Sequence, residues 1–221
     1  MLRTALLSLA LLLGGYGAVA WLTHDFQVWT DEGARRLEVA LRPLPLPAVV
    51  VDGPGIAPTA LPDLLAASGQ VTIADFFYTR CKTVCLSLGG SFGEMQAQLQ
   101  QQGDAGVQLL SISFDGAYDN PAILARYAQT MGAEARRWRF ARVADRQQQA
   151  ALLRSLGVVV IPDGMGDYEH NAALLIFDTQ GRMVRIFDLA EQELALNYAR
   201  HLAQQPAAPP APAATAQPGA A

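Results

Sequence analysis

Residues 4–22 form an unbroken run of nineteen uncharged residues, rich in Leu and Ala. At about 1.5 Å of rise per residue, a helix of that length approaches the thickness of a bilayer core. Arg3 precedes the run, and Asp25, Asp31 and Glu32 lie beyond it. The positive-inside bias therefore puts the N-terminus in the cytoplasm and the rest of the chain across the membrane. A cleaved signal peptide is the competing reading, because Ala18, Val19 and Ala20 make a small-x-small pattern. The run exceeds a typical signal core, and Trp21 and Trp29 suit an interfacial belt, which favours an uncleaved anchor over residues 1–23. Both readings export the chain from residue 24 onward.

The rest of the chain is partitioned by composition. Residues 24–47 are polar and then punctuated by Pro43, Pro45 and Pro47, the pattern of a semi-rigid spacer. Residues 204–221 hold Ala, Pro, Gln, Thr and Gly without a charge, so a disordered tail is expected there. Between them, residues 48–203 read as one domain. The formal charge of −4, with no basic run beyond the pairs Arg35–Arg36 and Arg136–Arg137, gives no footprint for a phosphate backbone, and nucleic acid is not expected as a partner.

Within the domain, β-branched and aromatic runs predict strands at 48–51, 71–78, 107–114, 139–143, 173–178 and 183–188. Helical periodicity predicts helices near 84–102, 121–131, 146–156 and 191–204. Asn120 before Pro121 is a helix-start signal, and Gln180–Gly181 is a hairpin turn between the last two strands. Strand and helix alternation that ends in an antiparallel hairpin and a closing helix describes an α/β sandwich with a mixed central sheet. That order is the one a thioredoxin-like fold requires.

Cys81 and Cys85 are the only cysteines, and they fall where the strand at 71–78 gives way to the helix at 84–102. A four-residue spacing sets two sulfurs on one face of a helical turn. A helix N-terminus, with Lys82 beside it, favours thiolates, which serve both as nucleophiles and as soft-metal ligands. An ordinary disulfide is the plainer reading. So short a loop removes little unfolded-state entropy, however, which argues against a disulfide as the sole role.

Two sulfurs leave most metal sites incomplete, and three histidines are available. His24 lies in the spacer and His201 in the closing helix, where a solvated role suits each. His170 comes after the Gly- and Pro-containing loop 161–166, in which Met165 is a possible soft auxiliary ligand, and precedes the strand at 173–178. From there it can reach the end of the sheet where the two cysteines turn. Two thiolates and an imidazole form a soft set suited to Cu(I), and to Cu(II) with a flattened geometry or one more ligand. Zinc ordinarily takes four ligands, and no fourth is evident.

These residues resemble the Sco/SenC copper chaperones of cytochrome c oxidase assembly. The likeness is carried by Phe76-Phe77-Tyr78-Thr79-Arg80-Cys81-Lys82-Thr83-Val84-Cys85, by Leu110-Ser111-Ile112-Ser113-Phe114-Asp115 with Asp119 and Pro121, and by Tyr168-Glu169-His170 leading into Leu174-Leu175-Ile176-Phe177-Asp178. It extends over about residues 48–203. The resemblance implies a copper-binding metallochaperone with Cys81, Cys85 and His170 as ligands. Its client would be the copper-bearing subunit of a respiratory cytochrome oxidase, with another copper chaperone and a thiol reductase as further partners. It implies an inner-membrane protein with its domain in the periplasm or an equivalent oxidising space. Asp115 and Asp119 match acidic positions near the site, where they would tune the ligands or meet a partner, although solvated turn residues are the plainer reading. Family members commonly carry proline after each cysteine, whereas Lys82 and Leu86 stand here and leave the loop less constrained.

An enzymatic alternative uses the same cysteines as a membrane-tethered thiol–disulfide oxidoreductase, with attack by Cys81 and resolution by Cys85. A peroxidase of peroxiredoxin type lacks its Pro-x-x-x-Thr-x-x-Cys pattern here.

Overall fold

A computed structural model describes residues 2–23, 25–81, 84–164 and 167–205, with the backbone alone for 84–87. His24, Lys82, Met165 and the tail from 206 onward lie outside the described residues. The first helix, α1 (Leu2–Leu22), buries none of its residues and is long and apolar enough to cross a membrane. Next come α2 (Asp31–Leu41), β1 (Val50–Gly53), β2 (Ile56–Ala60) and α3 (Leu61–Ser68). The centre of the domain is β3 (Val71–Phe77), α4 (Val84–Gln101), β4 (Val107–Ser113), α5 (Pro121–Thr130), β5 (Trp138–Arg142) and α6 (Arg146–Leu156). A small hairpin, β6 (Val160–Pro162) and β7 (Tyr168–His170), precedes β8 (Ala173–Phe177), β9 (Met183–Asp188) and α7 (Gln192–Ala203).

One seven-stranded sheet runs in the order β2-β1-β5-β4-β3-β8-β9. β3 pairs in parallel with β4 and β4 with β5, while the pairings of β3 with β8 and β8 with β9 are antiparallel. This is the thioredoxin-like mixed sheet expected from the order of elements. All seven residues of β3 and of β4 are buried, as strands covered on both faces must be. On one face, Phe92 of α4 packs on Trp138 and Tyr127 of α5 stacks on Phe77. On the other, Leu156 of α6 lines a small cavity with Phe76 and Leu175.

Local signals explain most boundaries. The Asn120 side chain accepts from the amides of Ala122 and Ile123, with Pro121 in the first turn of α5. Asp145 caps α6 in the same way, and Gly157 ends it in a left-handed conformation. At the β8–β9 turn, Gly181 has φ +75°, and the Asp178 side chain accepts from the amides of Gln180 and Arg182.

The structure departs from the sequence-based expectations in four places. The first strand covers Val50–Gly53 rather than 48–51, and it pairs with β2, for which the sequence pattern predicts no strand. The short helix α3, likewise not expected, has Pro62 at its start. The segment 24–47, expected to be a spacer from its prolines, contains α2, capped by the Thr30 hydroxyl. Arg36 of α2 bridges Asp188 at 2.5 Å and Glu191 at 3.3 Å, a tie across the sequence that local periodicity does not carry. The stretch expected to be the loop 161–166 starts inside β6, and His170 closes β7 rather than entering the strand at 173.

Asp75 is the one acidic residue of β3, and it is 3% exposed. It lies opposite Ser111 of β4, whose hydroxyl accepts from the Trp138 indole at 2.9 Å. Burial pushes the Asp75 carboxyl up to about 7, and its hydrogen bond with Ser111 opposes the shift. In the unfolded chain the same group titrates near 4. The folded state therefore holds a proton that the unfolded state has released, so this contribution to stability is full below about pH 4 and is lost as pH rises to about 7. Asp75→Asn should remove that dependence. Denaturant unfolding across pH 4–8 should show the variant gaining on the wild type by up to about 1.4 kcal/mol per pH unit through this window, and no further above it.

Candidate metal centre

The parallel strands point their C-terminal ends toward one edge of the molecule, and the thiol loop begins there. Beyond Phe77 the chain turns, with the Cys81 amide donating to the Tyr78 carbonyl at 3.3 Å. Cys81 is buried, 9% exposed. α4 opens at Val84, so the Cys85 backbone lies in its first turn, and that turn carries no acidic residue. The positive end of the helix dipole therefore lies at the thiol loop.

The neighbouring loop, 114–120, is laced to the thiol loop. The Asp119 carboxylate is fully buried and accepts from the Thr79 amide at 3.0 Å, from the Thr79 hydroxyl, and from the Ser113 hydroxyl at 2.5 Å. The Ser113 hydroxyl oxygen in turn accepts from the Asp115 amide at 3.1 Å. Asp115 pairs with Arg80 at 2.5 Å, and the Arg80 guanidinium lies 4.4 Å from the centre of the Tyr118 ring. Gly116 allows this loop its close approach to β5, because a Cβ there would run into the Val143 carbonyl oxygen. Asp115 thus binds the residue before Cys81, and Asp119 binds the residue before that.

His170 is brought to the same end by the β6–β7 hairpin. Asn171 fixes the base of the hairpin, accepting from the Val159 amide at 2.7 Å and donating to the Gly157 carbonyl at 3.0 Å. Near its tip, the Asp163 amide donates to the Asp167 carbonyl at 3.0 Å. The inner face rests on an aromatic cluster. Tyr78 contacts Phe114 and Tyr168, each with ring centres 5.1 Å apart, and Phe114 meets the His170 ring at 5.0 Å. The Tyr168 amide donates to the Tyr78 hydroxyl at 3.3 Å. Tyr78, three residues before Cys81, therefore shares one aromatic cluster with His170. The sequence does not mark Tyr78, Phe114 and Tyr168 as a group; the available signal was an aromatic residue at the end of each of the two expected strands 71–78 and 107–114.

Among the described residues, no three His, Cys, Asp or Glu side chains form a ligand set, and the Cys85 side chain lies outside them. His201 is exposed on α7, as expected of a solvated residue. A cavity of about 510 Å³ opens between α2, β9 and α7, and neither cysteine nor His170 lines it.

A family model described as SCO1/SenC matches residues 65–204. The chain belongs to the SCO1/SenC family. A curated relative, the SCO1 protein homolog of Bacillus subtilis (strain 168), is 23% identical over 130 residues, covering 58% of this chain and 67% of that protein. Among solved structures, Bradyrhizobium japonicum ScoI with copper bound aligns with a TM-score of 0.57 at 23% identity, over 70% of this chain and 96% of its own. BsSco, described as having a disulfide switch and as a member of the Sco family of cytochrome c oxidase assembly proteins, aligns at 0.62 with 17% identity, over 73% and 95%.

In this SCO1/SenC protein, burial pushes the His170 imidazole below its ordinary value, partly offset by a hydrogen bond with the Asn171 backbone. The unfolded chain then binds a proton that the folded state refuses, and stability is lost as pH falls through the ordinary imidazole value toward the folded one. The same shift keeps a ring nitrogen deprotonated at lower pH than in an exposed histidine. An NMR titration of the reduced protein should show a His170 midpoint below 6.5, the value of an unperturbed imidazole. Phe114→Leu, which removes the ring against His170, should move that midpoint upward.

Proposed function

We propose that this SCO1/SenC protein is a copper metallochaperone that binds the ion through Cys81, Cys85 and His170 and passes it by ligand exchange to the copper-bearing subunit of a respiratory cytochrome oxidase. The observation that carries the proposal is the aromatic cluster of Tyr78, Phe114 and Tyr168, which joins the thiol loop to the hairpin bearing His170. Two thiolates and an imidazole suit Cu(I), and can hold Cu(II) when the geometry flattens or a ligand is added. ScoI of Bradyrhizobium japonicum with copper bound, and the oxidase-assembly role stated for BsSco, support the same reading.

In the cell, α1 anchors the chain in the inner membrane with its N-terminus in the cytoplasm and its domain in the periplasm, consistent with Arg3 on one side and Asp25, Asp31 and Glu32 on the other. In that oxidising space the cysteines close into a disulfide unless a thiol reductase opens it, and another copper chaperone loads the reduced site. The disulfide switch described for BsSco favours a second reading, in which the dithiol reduces a partner's disulfide and is itself oxidised to the Cys81–Cys85 disulfide.

Titration of copper into the reduced full-length protein in detergent separates the two readings. The wild type should bind about one copper per chain, and His170→Ala should bind at least about 10-fold more weakly, as expected when a ligating group is lost. Equal affinity of the two, together with catalytic reduction of a disulfide substrate, would transfer the assignment to the oxidoreductase.

A further inference from the structure

The Asp119 carboxylate has no exposure to solvent, and both of its oxygens are engaged by neighbouring residues. One oxygen takes the Thr79 hydroxyl, and the other takes the Thr79 amide at 3.0 Å and the Ser113 hydroxyl at 2.5 Å. Its own amide donates back to the Asp115 carbonyl at 2.9 Å, closing the loop on itself. A surface turn needs none of this. Burying a carboxylate is costly unless it gains several good hydrogen bonds, and here they come from the strand ends that flank the thiols.

We infer that Asp119 is a positioning residue for the metal centre: by gripping Thr79 through both backbone and side chain, it fixes the direction in which the chain leaves β3 and so where Cys81 stands relative to α4 and His170. The inference rests on the reading of Cys81 as a ligand and names what holds that ligand in place. Two attachments at Thr79, one to the amide and one to the hydroxyl, restrain the backbone and χ1 of that residue together. The Arg80–Asp115 pair alone cannot do this, because the Arg80 side chain is 43% exposed and exposed ion pairs contribute little.

An asparagine at position 119 keeps the shape but removes the charge and turns one acceptor into a donor, so that either the Thr79 hydroxyl must reverse its role or the Thr79 amide loses its acceptor. The test uses the reduced full-length protein in detergent, at a temperature where every variant is fully folded. The readouts are the copper dissociation constant and the rate at which iodoacetamide alkylates Cys81, measured by peptide mass spectrometry. Asp119→Asn should weaken copper binding about 10-fold or more, the range found when a partner supporting a ligand is lost, and should raise the alkylation rate. Thr79→Val should do the same to a lesser degree, whereas Thr79→Ser, which keeps the hydroxyl, should stay close to wild type. Leu152→Ala, a core truncation in α6, supplies the stability control: it should lower the melting temperature and leave both readouts in place. The inference is overturned if Asp119→Asn changes neither readout, or if Leu152→Ala changes both as much. Should Asp119→Asn fail to fold, Thr79→Val and Ser113→Ala carry the same comparison. If the wild type takes up no copper, the copper reading fails, and alkylation alone decides whether Asp119 holds the thiol loop.

Discussion

The parallel ladder between β3 and β4 governs everything else in this molecule. It runs in register from Val71 opposite Val107 to Phe77 opposite Ser113 and continues one step further through the Phe114 amide, which donates to the Phe77 carbonyl at 2.9 Å. Parallel pairing makes both strands end at the same edge. The loop that carries Cys81 and the loop that carries Asp115 and Asp119 are therefore neighbours by construction. Crevices beyond the carboxyl ends of strands are where open α/β sheets place their chemistry. Here the ladder provides such a place, and the buried carboxylate of Asp119 fastens its two sides.

His170 reaches that edge by a different kind of force. Among the described residues, no main-chain ladder links β7 to the large sheet, and the hairpin forms a two-stranded sheet of its own. A two-stranded hairpin is marginal alone. Its order comes from side chains, with Asn171 bracing the base and Tyr168 packed edge-on against Tyr78 and Phe114 at 5.1 and 5.6 Å. The thiol loop thus rests on hydrogen bonds to a buried carboxylate, and the His170 imidazole rests on aromatic packing that also strips water from the ring.

Much of this was legible in the amino-acid sequence, and the exceptions have physical reasons. The strands at 71–78 and 107–114 announce themselves because strands buried on both faces must be apolar throughout. Asn120–Pro121 and Gln180–Gly181 announce boundaries because capping and turn chemistry are local. The cysteine pair could be placed at a strand-to-helix junction for the same reason. The β6–β7 hairpin escaped because three-residue strands are shorter than any period that could reveal them, and Pro162 and Gly164 suggest a loop. α2 escaped because the prolines after it dominate the composition, while its docking depends on Arg36 reaching Asp188 and Glu191, more than 150 residues away. The role of Asp119 was only half legible: its proximity to the site could be inferred from resemblance, but its complete burial and its grip on Thr79 are products of tertiary packing.

The attachment of α2 also sets where the domain hangs from its anchor. Arg36 meets Asp188 at the end of β9, and by the antiparallel registers of β9 with β8 and β8 with β3 that is the end at which Cys81 lies. Leu44 pairs with Met183 at the opposite end. The chain thus enters the domain at the same end of the sheet as the thiol loop, only residues 23–30 after α1, and then runs toward the other end along the outer strand. With α1 in a bilayer, this arrangement holds the working edge of the domain low, close to the lipid plane. Were α1 to span a bilayer, a partner held in the same membrane would meet that edge by diffusing in two dimensions.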